Sequence, residues 1–346
     1  MARVRTVLGE VDSADLGVTL CHEHLLLNGE RAWHEPSADA AEDQLIAREP
    51  VRMEFLGRLR ADPYLSLDNT RLDDIELAVA EAARYVSAGG RTLVEVTPVG
   101  LGRDPAGLRS IAERTGLTIV MGCGYYLERT QPPHVARMSV DELAQAIARD
   151  VIEGVDGVHA GVIGEIGVGL EFSPTEERVL RAAARAQVIT GVPLCVHLPG
   201  WKRYGHRVLD VVESEGVDPH AVVLCHMNPS ADDTTYQDSL AARGAWIEYD
   251  MLGMEFYYPG EGQSPCDEHN ACAIAALLER GLGGALLLSH DVFLKTLLRA
   301  YGGMGYAHVL TGFAQRLERH GVDRPTLLGI LTENPRAVFE AAERRR

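Results

Sequence analysis

No apolar run in the sequence approaches 18 residues, so nothing in it is expected to cross a membrane. The first residues, MARVRTVLGEVDSADLG, carry neither an apolar stretch nor a small-residue cleavage site, which argues against a secretory signal peptide. No repeat, low-complexity block or linker divides the chain. No two cysteines are spaced CxxC. The six are Cys21, Cys123, Cys195, Cys225, Cys266 and Cys272, and the first four sit inside apolar, strand-like runs. That is the pattern of reduced, buried thiols rather than of a disulfide framework, and a cytoplasmic location is expected from it. Positive charge is also scarce: Lys and Arg total 33 against 50 Asp and Glu, a net charge of −17. An acidic surface disfavours nucleic acid and anionic membranes as partners and leaves a small-molecule substrate. A homodimer is left open.

What the 346 residues do contain is an ordinary globular composition, 46% hydrophobic and 24% charged. Short apolar runs alternate with helical patterns. The runs are GVTLCHEH, TLVEVT, LTIVMGCG, GVIGEIG, VPLCVHL, AVVLCHM, AWIEYD and ALLLSHD. Each is uniformly apolar, as suits parallel strands buried on both faces. Helix signals lie between them. Asp73 is a candidate cap for a helix through Ala88 closed by Gly89, and Ser173-Pro174-Thr175-Glu176 reads as a capping box opening a helix to Thr190 that stops at Gly191. Eight strand–helix units in series predict the α/β class and one (β/α)8 TIM barrel over residues 1–346. The polar stretch 28–72 reads as a long excursion after the first strand.

The chemistry is concentrated at the ends of the runs. In Cys21-His22-Glu23-His24, the two histidines point to one face of a strand and Glu23 to the other. Alone the pattern is weak. It gains weight because Glu165 follows GVIG, His197 follows VPLCV, His226 follows VVLC and Asp291 follows ALLLSH. In a barrel these strand ends meet on the face where active sites lie, and so many buried polar groups without a function would be costly. Four imidazoles and two carboxylates overfill one tetrahedral zinc that keeps an open position. They suit two divalent ions about 3.5–4 Å apart. His22, His24 and Asp291 are expected on one ion and His197 and His226 on the other, with Glu165 bridging. Zinc is the expected metal, manganese and cobalt the alternatives. A bridging hydroxide is the expected nucleophile, and Asp291 the catalytic proton acceptor.

The motifs CHEHLL, VEVTPVGLGRDP, GCGYYLERTQPPHVARMSVDEL, GVIGEIG, VLRAAARAQVITGVPLCVH, VVLCHM, LSHD and TENPRAVF resemble the phosphotriesterase family of the amidohydrolase superfamily along nearly the whole chain. The stretch YGGMGYAHVLTGFAQRL is similar to the branch of phosphotriesterase homology proteins and lactonases. The resemblance implies the same ligand set, with His22, His24, His197, His226 and Asp291 on the metals. It implies Glu165 at the bridge, where the phosphotriesterases proper carry a carbamylated lysine. Gly164 and Gly167 would let that strand's backbone approach closely.

A lactone or ester is therefore the leading substrate expectation. An amidase acting on a small N-acyl compound, or a phosphotriesterase, is the alternative. A non-catalytic ligand-binding barrel is disfavoured, because no ligand position is missing. For substrate contacts the resemblance points to Tyr125 and Tyr126 after the third strand and to Tyr257 and Tyr258 after the seventh. The adjacent cations Lys202 and Arg203, in WKRYGH after the fifth strand, could grip an anion, and Lys295 is a further candidate. Arg103 and Asp104 read as braces of the second strand's loop, and His290 as packing behind Asp291.

Overall fold

The eight apolar runs form a single parallel sheet in the computed structural model, which describes residues 2–343. They are β1 (Thr19–Glu23), β2 (Thr92–Glu95), β3 (Thr118–Cys123), β4 (Val162–Gly167), β5 (Leu194–His197), β6 (Val222–Leu224), β7 (Trp246–Tyr249) and β8 (Leu286–Leu288). Each pairs in parallel with the next in chain order. Helices alternate with them: Ile75–Ser87, Pro105–Thr115, Val140–Ile152, Pro174–Thr190, Gly205–Ser214, Thr234–Ala242 and Asp267–Glu279 lie between successive strands, and Gly312–Arg319 and Arg324–Glu343 follow β8. This is the expected (β/α)8 barrel.

The ring closes between β8 and β1 through the residues after β8. The Ser289 hydroxyl accepts from His22 N at 3.0 Å and donates to the His22 carbonyl at 2.8 Å. Asp291 N donates to the same carbonyl at 3.2 Å. Glu23, the outward member of the His-x-His pair, reinforces the seam. Its Oε1 accepts from His290 N and His290 Nδ1 at 2.9 and 2.8 Å and lies 2.9 Å from the Ser289 hydroxyl, whose one proton it shares with the His22 carbonyl, and its Oε2 accepts from Val292 N at 3.1 Å. His290 thus has the packing role expected, and its Nε2 accepts from Val309 N at 3.0 Å.

The barrel interior is filled by small and branched side chains, among them Cys21, Val94, Val96, Val120, Val162, Cys195, Val223, Cys225 and Leu287, and Ala2 and Val4 of an N-terminal hairpin belong to the same cluster. A larger cluster lies between sheet and helices. Cys21, Cys123, Cys195 and Cys225 are buried free thiols, and Cys266 and Cys272 are exposed. Residues 28–72 form the expected excursion, with short helices Ala41–Arg48 and Leu56–Ala61 over their own core of Ile46, Val51, Phe55, Leu59 and Leu65. No described helix is long and apolar enough to cross a membrane.

Two local expectations were tested by the caps. The first helix is capped by Asp74, not Asp73: the Asp74 carboxylate accepts from Glu76 N at 2.9 Å and Leu77 N at 3.2 Å, so the helix opens one residue later. The second holds as read, with Ser173 and Glu176 forming a capping box, Pro174 opening the helix and Gly191 ending it in the left-handed region. Glu176 does more than cap. Its carboxylate accepts from Ser173 N (3.0 Å), Gly169 N (3.0 Å) and Glu128 N (3.3 Å), tying the loops after β3 and β4 to the helix start. Ser173→Ala is expected to lower stability by about 1 kcal/mol. Glu176→Ala strands three backbone donors and is expected to cost about 2–3 kcal/mol. Urea unfolding midpoints at constant m-value measure both, and equal losses would remove Glu176 from this role.

Candidate active site

All six residues at the strand ends meet at the C-terminal mouth of the barrel. Glu165 lies between them. Its Oε1 is 2.8 Å from His197 Nδ1, 2.9 Å from His226 Nε2 and 3.6 Å from His22 Nε2. His197 Nδ1 and His226 Nε2 are themselves only 2.7 Å apart. On the other side, Asp291 Oδ1 is 3.2 Å from His24 Nε2 and 3.6 Å from His22 Nε2. His22 thus touches both halves of the cluster. His226 and Asp291 reach it from backbones in the left-handed region, at φ 58° and 49°. Such conformations cost a non-glycine residue on the order of 1–3 kcal/mol and persist where the surroundings over-determine them.

Glycines let the backbones come this close. Gly164 has φ 142°, and a Cβ there would fall 2.6 Å from the Cys195 carbonyl oxygen of β5. A Cβ on Gly167 would collide with the Tyr126–Leu127 backbone after β3.

The ring atoms facing away from the cluster are held by the protein. His24 Nδ1 meets the Thr97 hydroxyl at 2.8 Å, which donates to Glu95 Oε1 at 2.5 Å. His226 Nδ1 meets Asp250 Oδ1 at 3.0 Å, while His226 N donates to both Asp250 oxygens at 3.0 Å. His22 Nδ1 lies 3.2 Å from Asp250 Oδ2 and 3.5 Å from Glu248 Oε2. Three imidazoles therefore turn Nε2 inward; His24 and His226 back Nδ1 with a hydrogen-bonded oxygen, as metal-ligating histidines do, and His22 Nδ1 faces two carboxylates without a formed hydrogen bond. His197 is reversed and presents Nδ1.

Electrostatics match the geometry. Burial pushes the Glu165 carboxyl up, but the His197 and His22 imidazoles and the hydrogen bonds from His197 and His226 hold it well below the usual carboxylate range. Burial pulls His22 and His226 down, and the anionic groups around them overcome it and raise both. Both ring nitrogens of His22 are buried with no hydrogen-bond partner among the described residues. Nitrogen facing nitrogen at 2.7 Å beside a carboxylate, with orphaned buried imidazole atoms, is a donor set that fits divalent cations. The groups His22–His24–Asp291 and His22–Glu165–His226 could each hold one.

The cluster floors a cleft of about 890 Å³ counted to its open mouth. Its walls are largely apolar, with Tyr64, Tyr126, Trp201, Tyr258 and Phe293 among them. Tyr126 and Tyr258 are where the sequence placed them: the Tyr126 hydroxyl is 3.1 Å from His197 Nδ1, and the Tyr258 ring lies 5.9 Å from that of Trp201. Tyr125 is not there. It faces the opposite side of the extended chain and packs into the core, 7% exposed.

Lys202 and Arg203 are also outside the cleft. Arg203 is drawn away by Asp232 and Asp233, at 3.2 and 3.3 Å, and lies over the Tyr236 ring, and Lys202 is exposed on the same loop. Lys295 is engaged by Asp68 at 2.5 Å, and Tyr257 is exposed. Arg103 braces as expected, 2.9 Å from Asp150 and donating to the Gly122 carbonyl. The cation that does line the cleft is Arg129, the one Lys or Arg among its described lining residues. It was missed together with Tyr64, which arrives from the distant excursion. Asp250 and Glu248 were missed too, although two acids inside the apolar run AWIEYD are a signal in themselves.

Residues 2–339 match the phosphotriesterase family. The N-acetyltaurine hydrolase of Tetraodon nigroviridis is 35% identical over 340 residues, 96% of this chain and 97% of that protein. A resiniferatoxin-binding protein from Rhodobacter sphaeroides superposes with a TM-score of 0.95 at 49% identity, covering 98% of this chain and 95% of that one. A lactonase from Listeria monocytogenes superposes with a TM-score of 0.77 at 22% identity, covering 98% and 99%, which is a likeness of fold.

The placement of the cations makes a prediction. Lys202→Ala combined with Arg203→Ala should leave kcat and KM unchanged for charged and neutral substrates alike. Arg129→Ala should raise KM for anionic substrates more than for neutral ones. Steady-state kinetics on matched pairs decides, and a charge-selective KM defect in the double variant would return that loop to the site.

Proposed function

The chain belongs to the phosphotriesterase family, a family of metal-dependent hydrolases, and on that premise we propose that it is a two-metal hydrolase that cleaves the amide bond of a small N-acyl compound. The observation that carries the metal part is the convergence of His197 Nδ1, His226 Nε2 and Glu165 Oε1 within 2.7–2.9 Å of one another, with His22, His24 and Asp291 beside them. His22, His24 and Asp291 would hold one ion, His197 and His226 the other, and Glu165 both. Zinc is the first choice and manganese or cobalt the alternatives. Two divalent ions held there supply Lewis-acid polarisation of a carbonyl and bring the pKa of water towards neutrality.

The chain's own residues do the rest. Asp291 is in place to take the proton from the attacking water and pass it to the leaving nitrogen. The Tyr126 hydroxyl, beside His197, is in place to meet the substrate oxygen. The apolar and aromatic walls seat the organic portion and exclude bulk water. The amide is favoured because the relative aligned along 96% of the chain is named for hydrolysis of an N-acetylated amine. A lactone or ester, the leading expectation from the sequence, asks the same of these residues.

Protein reconstituted with zinc, manganese or cobalt, offered N-acetyltaurine, other N-acyl amines, lactones and aryl esters, separates the readings. Amide turnover that is lost on chelation and restored by metal is expected. Turnover of lactones without amides would move the assignment to a lactonase, and no turnover of any class by metal-loaded protein would favour a ligand-binding barrel. Asp291→Asn should lower kcat by about 10²–10⁴-fold, because the amide cannot accept a proton though its oxygen still ligates. Wild-type kcat in that variant would remove Asp291 from proton transfer.

A further inference from the structure

Glu248 is the least explained polar residue in the barrel. It lies on β7 facing the interior, fully buried, and neither carboxylate oxygen has a hydrogen-bond partner among the described residues. A buried carboxylate without partners is destabilising by itself, so its presence in a layer of valines and thiols calls for a function. Strong donors are few around it. Cys225 offers only a weak S–H, and Asp250, two residues on, offers no donor when ionised. The remaining group is His22, whose Nδ1 lies 3.5 Å from Glu248 Oε2 and also has no formed hydrogen bond. Asp250 Oδ2 is nearer to that nitrogen, at 3.2 Å, but both Asp250 oxygens already accept from His226 N, and Oδ1 also meets His226 Nδ1.

We propose that Glu248 is the positioning residue for His22: it accepts a hydrogen bond from Nδ1–H, keeps Nε2 as the lone-pair nitrogen facing the cluster, and thereby sets the affinity of the ion assigned to His22, His24 and Asp291. The inference rests on the two-metal reading above. It divides the work of β7 between its two inward acids. Asp250 serves His226 and the second ion, and Glu248 serves His22 and the first. Strand seven, which ends in no metal ligand, is then the strand that orients one ligand of each ion.

The test uses the intact chain with zinc and a competing chelator. Wild-type protein is expected to bind two ions with separable affinities. Glu248→Met removes the buried charge at similar volume, so the metal-free variant should melt at or above the wild-type temperature. Its affinity for one ion should fall about 10–100-fold, the usual effect of losing such a partner, while the other is retained. Glu248→Gln keeps an acceptor oxygen for Nδ1 and should fall between. Cobalt titration reads the same loss as one missing set of absorption bands.

Unchanged affinity for both ions in Glu248→Met would overturn the proposal, as would an equal loss of both. A drop in metal-free stability at wild-type affinity would likewise overturn it, by showing a structural role. Wild-type protein that binds no ion pair would instead overturn the two-metal reading on which the proposal stands.

Discussion

One carboxylate oxygen, Glu165 Oε1, faces three imidazoles from three different strands, at 2.8, 2.9 and 3.6 Å. The rest of the barrel's upper end is arranged so that this can happen. Removing one partner from a buried charged set typically costs about 3–5 kcal/mol, because it leaves the others uncompensated. The cluster is therefore stable only as a whole, and its members must be delivered together. Two of them, His226 and Asp291, are delivered by left-handed backbone. A third, His22, sits on the seam where the ring closes, and the Glu23–Ser289–His290 bonds hold that seam in register. The seam that closes the barrel thus also holds one member of the cluster.

Below that layer the described interior is largely apolar, and the groups beside the imidazoles are few. Thr97 with Glu95, and Asp250 with Glu248, come from β2, β7 and the residues that follow them. The division is economical. Strands that give no inward-facing ligand still set the direction of the ligands that others give. The same logic suits the cluster to cations: the outer faces of the imidazoles meet groups of the chain, and the inner faces converge on one another and on two carboxylates.

Much of this was legible in the sequence because a parallel barrel strand is buried on both faces. Any charged or imidazole group at its end stands out against Val, Leu and Ile, and Glu165, His197, His226 and Asp291 all did. The same rule points to Glu248 within β7 and Asp250 just after it, which break the apolar run in the same way. The loops were not legible. Lys202 and Arg203 looked suited to an anion, yet Asp232 and Asp233, some thirty residues away in sequence, compete for Arg203 and win. Tyr125 and Tyr126 are equivalent in the sequence, and only the course of the chain past Gly124 decides which ring faces the cleft. Tyr64 and Arg129 reach the site from segments whose packing no local pattern encodes.

The proposed pair of ions would be bridged by Glu165. Crystals of the zinc-loaded protein, measured on both sides of the zinc absorption edge, test it most directly. Two anomalous peaks about 3.5–4 Å apart are expected, one beside His22, His24 and Asp291 and the other beside His197 and His226, with a Glu165 oxygen on each. A single peak at full zinc occupancy, or two peaks neither of which touches Glu165, would contradict it.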